Sequence, residues 1–110
     1  MHVCVTLTPD GLAGGGFGRA PKVGIATVED GVVTAWEEHE VRWDDLHDAG
    51  TEGSHHARIA RFLMDNDVQA VAAGHIGPPM QHQLGRMGIR FVLGADGDPR
   101  SVALEAATAG

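Results

Sequence analysis

The sequence predicts an α/β domain in which helices cover the faces of one mixed five-stranded sheet. Three β-type segments fill the first 43 residues, and helical and short apolar segments alternate after them. The chain has 110 residues, of which 43% are hydrophobic, which suits a single domain with its own core. We therefore expect residues 1–110 to form one domain, because neither a linker nor an internal repeat interrupts them.

The first half of the chain is predicted to be an antiparallel meander of three strands. Residues 2–7 alternate and are β-branched, which is typical of a strand, and a glycine-rich loop follows at residues 8–21. Residues 22–28 are predicted as strand two. The tight-turn signature at residues 29–31 then leads into strand three, from residue 32 to about Trp43.

The second half alternates helices and strands. Residues 44–52 are polar and acidic and are predicted to be a loop. Ser54 is predicted to cap a helix whose apolar residues recur with helical spacing to about Asn66. Residues 68–73 are nearly all apolar, as in a buried parallel strand.

Two further helices flank strand five. Met80, Leu84 and Met87 mark one face of a helix that Gly88 is placed to end, and residues 89–93 follow as strand five. Asp98 caps the last helix, with Pro99 at its favoured first position. The inward residues of that helix are predicted to be Val102, Ala103, Ala106 and Ala107.

The resulting order, β-β-β-α-β-α-β-α, is the ribonuclease H-like order with strand one in the middle of the sheet. Strands one, four and five then run parallel, so their carboxyl ends meet at one edge. That edge collects the loops at residues 8–21, 44–56, 74–79 and 94–98. Open α/β sheets bind their ligands at this edge.

Three histidines belong to the same edge. His55 and His56 lie at a helix start, and His75 lies in the turn after strand four. Neutral imidazoles ligate transition metals, while glycine loops and helix starts offer N–H groups to anions. Arg19 adds a cation. We therefore expect a shared metal or anionic-ligand site, to which only one of the adjacent pair points, because neighbouring helical residues diverge by about 100°.

Composition excludes several other functions. The net charge of −7 argues against binding to nucleic acid or to an anionic membrane surface, and no apolar run is long enough to span a membrane. Strand one carries no carboxylate, so it lacks the metal ligands of a nuclease on this scaffold. The single cysteine, Cys4, excludes an intrachain disulfide and favours the reducing cytoplasm.

Three motifs in order resemble the dinitrogenase iron–molybdenum cofactor biosynthesis family (NifX and NifB C-terminal type). They are Gly16-Phe17-Gly18-Arg19-Ala20-Pro21, Gly53-Ser54-His55-His56-Ala57 and Gly74-His75-Ile76-Gly77-Pro78. The resemblance covers about residues 1–107. It implies a ribonuclease H-like fold and a non-catalytic carrier or accessory protein for an iron–molybdenum or related metal–sulfur cluster.

The motifs also suggest which residues form the site. The metal ligands would be drawn from His55, His56 and His75. The rest of the cluster site would comprise Gly16, Phe17, Gly18, Arg19, Ser54, Gly74 and Gly77. A protein that donates or accepts the cluster would be the partner.

Two alternatives remain open. One is a mononuclear zinc, nickel or copper protein, since the chain is rich in histidine and poor in cysteine. The other is a ligand-free interaction module, such as a homodimer through strand three. Trp36 and Trp43 would face opposite ways on that strand, so one of them would mark a dimer surface.

Overall fold

The computed structural model describes residues 1–46 and 51–108, which form one mixed sheet flanked by helices. The strands are β1 (His2–Leu7), β2 (Lys22–Glu29), β3 (Val32–His39), β4 (Ala70–Ala72) and β5 (Arg90–Val92). The helices are α1 (Trp43–Leu46), α2 (Glu52–Asp65), α3 (Pro78–Arg86) and α4 (Pro99–Thr108). A 3-10 turn, Phe17–Arg19, lies between β1 and β2.

The strand order is β3-β2-β1-β4-β5, which confirms the predicted central position of strand one. In the middle of β1, Cys4 pairs with Ile25 of antiparallel β2 and with Val71 of parallel β4. Strand β5 is parallel to β4. The carboxyl ends of β1, β4 and β5 therefore share one edge of the sheet, called the carboxyl edge below.

Alternation along β1 sends its side chains into two separate core layers. Cys4 packs in the layer under α2 and α3, which contribute residues such as Leu63 and Leu84. Val3 and Val5 point to the other face and pack with α4 residues such as Ala103. Helices thus pack on both faces of the sheet, as predicted.

The prediction for the end of strand three is wrong. Strand β3 ends at His39, and the chain reverses through Arg42, whose φ is +56°, so that Trp43 starts α1. Trp43 is 1% exposed and makes edge-on contacts with the rings of Phe17 and Phe62. It is therefore a core residue and does not mark a dimer surface.

Trp36 does lie on β3, but it is half-buried on the face that α4 covers. The guanidinium of Arg100 stacks 5.0 Å from the ring centroid. Gly24 makes room for the ring, since a Cβ at that position would lie 2.2 Å from a Trp36 carbon. Trp36 is thus partly covered by its own chain.

The N-cap of helix α2 lies three residues before the predicted one. Thr51 is the N-cap, and its Oγ1 accepts a hydrogen bond from the Ser54 amide at 3.1 Å. The Ser54 hydroxyl accepts one from the Thr51 amide, also at 3.1 Å. Ser54 therefore takes part in a capping box from inside the first turn. The predicted loop at residues 44–52 is wrong at both ends, since residues 44–46 belong to α1, a helix absent from the predicted order, and Glu52 begins α2. Residues 47–50, which include His47, lie outside the described residues.

The remaining helix ends follow their predicted signals. Helix α3 begins at Pro78 after Gly77, and Gly88 adopts the left-handed conformation just past its end, with φ of +73°. Asp98 caps α4, since its Oδ2 accepts hydrogen bonds from Ser101. No helix in residues 1–46 and 51–108 is long and apolar enough to cross a membrane.

Candidate functional site at the carboxyl edge

The glycine loop (residues 11–18) is joined by backbone hydrogen bonds to the histidine turn (residues 74–77). The Gly15 carbonyl accepts from the amides of Gly74 at 2.9 Å and His75 at 3.2 Å. The Phe17 amide donates to the His75 carbonyl at 2.8 Å. These bonds pair the two segments like short parallel strands around Gly16 and His75.

Close approach of the two segments depends on Gly74. A Cβ on Gly74 would lie 2.9 Å from the Gly15 nitrogen and 3.0 Å from its oxygen, which is closer than Cβ atoms ordinarily come to other atoms. Gly74 is therefore needed so that one backbone can lie against the other. The close approach of the two backbones is thus a physical reason for glycine at the first position of the Gly74–Pro78 motif.

Thr6 anchors the glycine loop to strand β1, and this contact was not predicted from the sequence. Its buried hydroxyl donates to the Gly14 carbonyl at 3.0 Å, and the Gly14 amide donates to the Thr6 carbonyl at 3.1 Å. Thr6 is a polar residue in an otherwise apolar buried strand. That contrast is the available signal, because a buried hydroxyl requires a hydrogen-bond partner.

His55 brings the start of α2 to the same place. Its Nε2 lies 2.8 Å from the carbonyl oxygen of Gly18, which belongs to the 3-10 turn. Its Nδ1 lies 2.8 Å from Nη1 of Arg58, one turn along the helix, and the side chain is only 3% exposed. Three segments predicted to converge are thus in contact, but both ring nitrogens of His55 are occupied by protein groups.

The other two candidate ligands differ from His55 in exposure. His56 is half-buried and follows His55 on α2, so the two rings leave the helix in different directions. His75 is exposed, while its backbone is fixed on both sides by the glycine loop. Within the described ranges, no three His, Cys, Asp or Glu side chains form a group that could hold a metal ion.

Groups suited to an anion are present at this edge. Arg19 is exposed at the end of the 3-10 turn. In the described part of the chain, the amides of Gly15 and Gly16 donate no backbone hydrogen bond, and the two residues are exposed and half-buried respectively. Gly77 caps α3, but the two prolines that follow it lack N–H groups, so this helix start offers few donors.

The other predicted site residues serve the framework. The Ser54 hydroxyl is committed to the capping box and also donates to the Thr51 carbonyl at 2.9 Å. Phe17 is buried against Trp43. Cys4 is fully buried in mid-strand, and burial raises the pKa of its thiol, so it is not available at the edge as a thiolate.

Fold and edge together define a small α/β domain that presents a glycine loop, an exposed histidine and an exposed arginine at one edge of its sheet. Comparison with known proteins specifies the class further. A sequence model of the family described as dinitrogenase iron-molybdenum cofactor matches residues 1–110. The chain belongs to this family.

The fold has a solved counterpart. A structure described as the crystal structure of PH0822 matches 97% of this chain and 89% of its own, with a TM-score of 0.75. The two sequences are 22% identical, so the likeness establishes the fold alone. No curated protein matches the chain significantly.

Proposed function

We propose that this protein binds an iron–molybdenum or related metal–sulfur cluster at its carboxyl edge and acts as a non-catalytic carrier or accessory protein. Membership of the iron-molybdenum cofactor family supports the kind of ligand. Members of the family are in general accessory or carrier proteins. The cluster is cargo, which a partner protein donates or accepts.

The observation that carries the proposal is the presentation of His75. Its main chain is hydrogen-bonded to the glycine loop through both its N–H and its C=O, while its imidazole is exposed. An exposed ring on a fixed backbone can meet a large ligand without an ordering cost for the loop. This presentation supports the proposal, because a neutral imidazole can ligate a metal of a pre-assembled cluster.

The ligand inventory favours a cluster over a lone metal ion. A structural zinc site needs four protein ligands and a catalytic one needs three. The described residues contain no group of three such side chains. A metal–sulfur cluster brings bridging sulfides of its own, so one or two imidazoles can hold it. We propose His75 as the first ligand and His56 as the second.

Charge makes local donors necessary. The chain carries a formal net charge of −7, which repels an anionic cluster at long range. Arg19 and the amides of Gly15 and Gly16 offset this repulsion at short range. We therefore propose that Arg19 and the glycine loop neutralise the charge of the cluster, while the histidines bind its metal.

We also propose that the fold is ribonuclease H-like and that the protein works in the cytoplasm. The strand order β3-β2-β1-β4-β5, with β2 antiparallel to the rest of the central strands, supports the fold assignment. The lone buried thiol supports a reducing compartment, because nothing in the chain requires oxidation. A homodimer remains part of the proposal, with edge strand β3 as its candidate surface.

The test is anaerobic reconstitution with isolated iron–molybdenum cofactor, followed by desalting, metal analysis and absorption spectroscopy. Wild-type protein should retain iron and molybdenum, and His75→Ala should retain roughly tenfold less, as for the loss of one ligand worth over 1 kcal/mol. His82→Ala is the matched control, since His82 is also exposed but lies along α3.

Two results would count against the proposal. Equal uptake by His75→Ala and wild type would remove His75 as a ligand. A wild-type protein that takes up neither the cluster nor zinc, nickel or copper would contradict metal binding altogether, and the interaction module would then be the better description.

A further inference from the structure

We infer that His55 is a positioning residue of the proposed site and not one of its ligands, and that Arg58 fixes the tautomer through which it acts. The inference deepens the proposed function, and the existence of a cluster site at this edge rests on that function. The way in which α2 holds the 3-10 turn does not depend on the cluster.

The hydrogen-bond pattern assigns the tautomer of His55. Arginine stays protonated in proteins and can only donate, so Nδ1, which lies 2.8 Å from Arg58 Nη1, must be the acceptor. A neutral ring with a bare Nδ1 carries its proton on Nε2. That proton points to the Gly18 carbonyl at 2.8 Å.

The 3-10 turn is held from two directions. His55 binds the Gly18 carbonyl from the α2 side, and the Phe17 amide is bound to the His75 carbonyl on the other side. The Phe17 ring is buried, 5.4 Å from the Trp43 ring centroid. Arg19 ends this turn, so the clamp sets where its cation lies relative to His75.

A ligand role for His55 would break this clamp. A ligating imidazole turns one nitrogen to the metal, and His55 would have to release either Gly18 or Arg58 to do so. Releasing Gly18 would leave its carbonyl without this hydrogen bond, next to a histidine that is only 3% exposed. Losing that bond would cost more free energy than an exposed histidine loses when it binds a metal. The exposed ring of His75 can turn a nitrogen to a metal without breaking this clamp.

Three measurements on the whole chain test the inference. Nitrogen NMR of the wild-type ring should show the proton on Nε2 and none on Nδ1. Trypsin cleavage after Arg19, followed by mass spectrometry, reports opening of the turn. Cluster uptake reports the site. Cleavage after exposed Arg86, at the end of α3, is the internal control for general unfolding.

His55→Gln separates positioning from ligation. Glutamine carries a donor and an acceptor on one carbon, as the imidazole does, but its amide is a poor ligand for metals that prefer nitrogen rings or sulfur. We expect His55→Gln to keep wild-type protection at Arg19 and wild-type uptake. His55→Ala should be cleaved there roughly tenfold faster, and should take up about tenfold less cluster, as for one buried hydrogen bond lost.

Each result decides the matter. His55→Gln that keeps the turn protected but loses uptake would make His55 a ligand and overturn the inference. A proton on Nδ1, or wild-type protection in His55→Ala, would also overturn it. If the NMR and trypsin results hold while wild-type protein takes up no cluster, the proposed function fails and the positioning of the turn by His55 is supported.

Discussion

Identical side chains serve different purposes at the carboxyl edge because their surroundings differ. His55 is buried and hydrogen-bonded through both ring nitrogens, while His75 is exposed on a backbone that the glycine loop holds still. A histidine can ligate a metal when one ring nitrogen faces the metal and removing water from the ring costs little free energy. Burial and hydrogen bonding thus support the different roles that we propose for histidines which sequence position left alike.

Gly74 offers a prediction at the scale of one residue. Gly74→Ala should lower the free energy of unfolding by about 1–3 kcal/mol, since its Cβ would press on the backbone of Gly15. It should also reduce cluster uptake, because the histidine turn must move away from the glycine loop. Urea denaturation and metal analysis measure the two effects.

Gly85→Ala is the matched control for that change. Gly85 lies inside α3, and a Cβ there meets nothing within 4 Å. The same substitution should therefore stabilise the protein by about 0.5–1 kcal/mol through helix propensity. Destabilisation by both variants to the same degree would show that the close approach at Gly74 is not the cause.

The start of helix α4 gives a prediction at the scale of an element. The Ser101 hydroxyl donates to Asp98 Oδ2 at 2.7 Å and the Ser101 amide at 3.1 Å, and these bonds hold the pKa of Asp98 below its ordinary 3.8. Because the folded pKa is depressed, the stabilisation is present at neutral pH and is lost as pH falls through the folded pKa.

Ser101→Ala should raise the pKa of Asp98 towards 3.8, as followed by carbon NMR of its carboxyl group. Thr108→Ala removes a hydroxyl from the other end of the same helix and serves as the control. An Asp98 titration that does not move in Ser101→Ala would mean that the hydroxyl is not the main cause of the lowered pKa.

The order of the strands in the sheet was predictable from the sequence, and the ends of the strands and helices were less so. Alternation in β1 and the apolar run of β4 fix the central strands, and topology alone brings the loops to one edge. The cap of α2 was misplaced because Thr51 and Ser54 are both good cap residues, three positions apart. Residue preference alone does not decide which of the two is the N-cap, whereas the folded structure does.

Other features had no local signal. Trp43 leaves the line of β3 because Arg42 turns in the left-handed region, which arginine seldom adopts and which its sequence neighbours do not announce. The bond from His55 to Gly18 spans 37 residues, so no window of sequence contains both partners. The convergence of the loops at the carboxyl edge was therefore predictable, whereas the contacts of each residue there were not.

On the scale of the whole molecule, Cys4 is a natural reporter of unfolding. It lies in the central strand between β2 and β4, is 0% exposed, and packs in the core layer under α2 and α3. Burial raises the pKa of its thiol, so the folded protein holds it neutral and out of reach of reagents. Labelling must therefore proceed through opening of the sheet.

We expect iodoacetamide labelling of Cys4 to give an opening free energy that agrees with urea unfolding, followed by fluorescence of buried Trp43, to within about 1 kcal/mol. A bound cluster should slow labelling about 100-fold when its free concentration is 100 times the dissociation constant, because it binds only the folded state. His75→Ala, which is expected to bind about tenfold more weakly, should slow labelling only about tenfold at the same concentration. Rapid labelling of native protein would instead mean that β1 opens locally, and that the carboxyl edge it supports is not the fixed platform on which cluster binding depends.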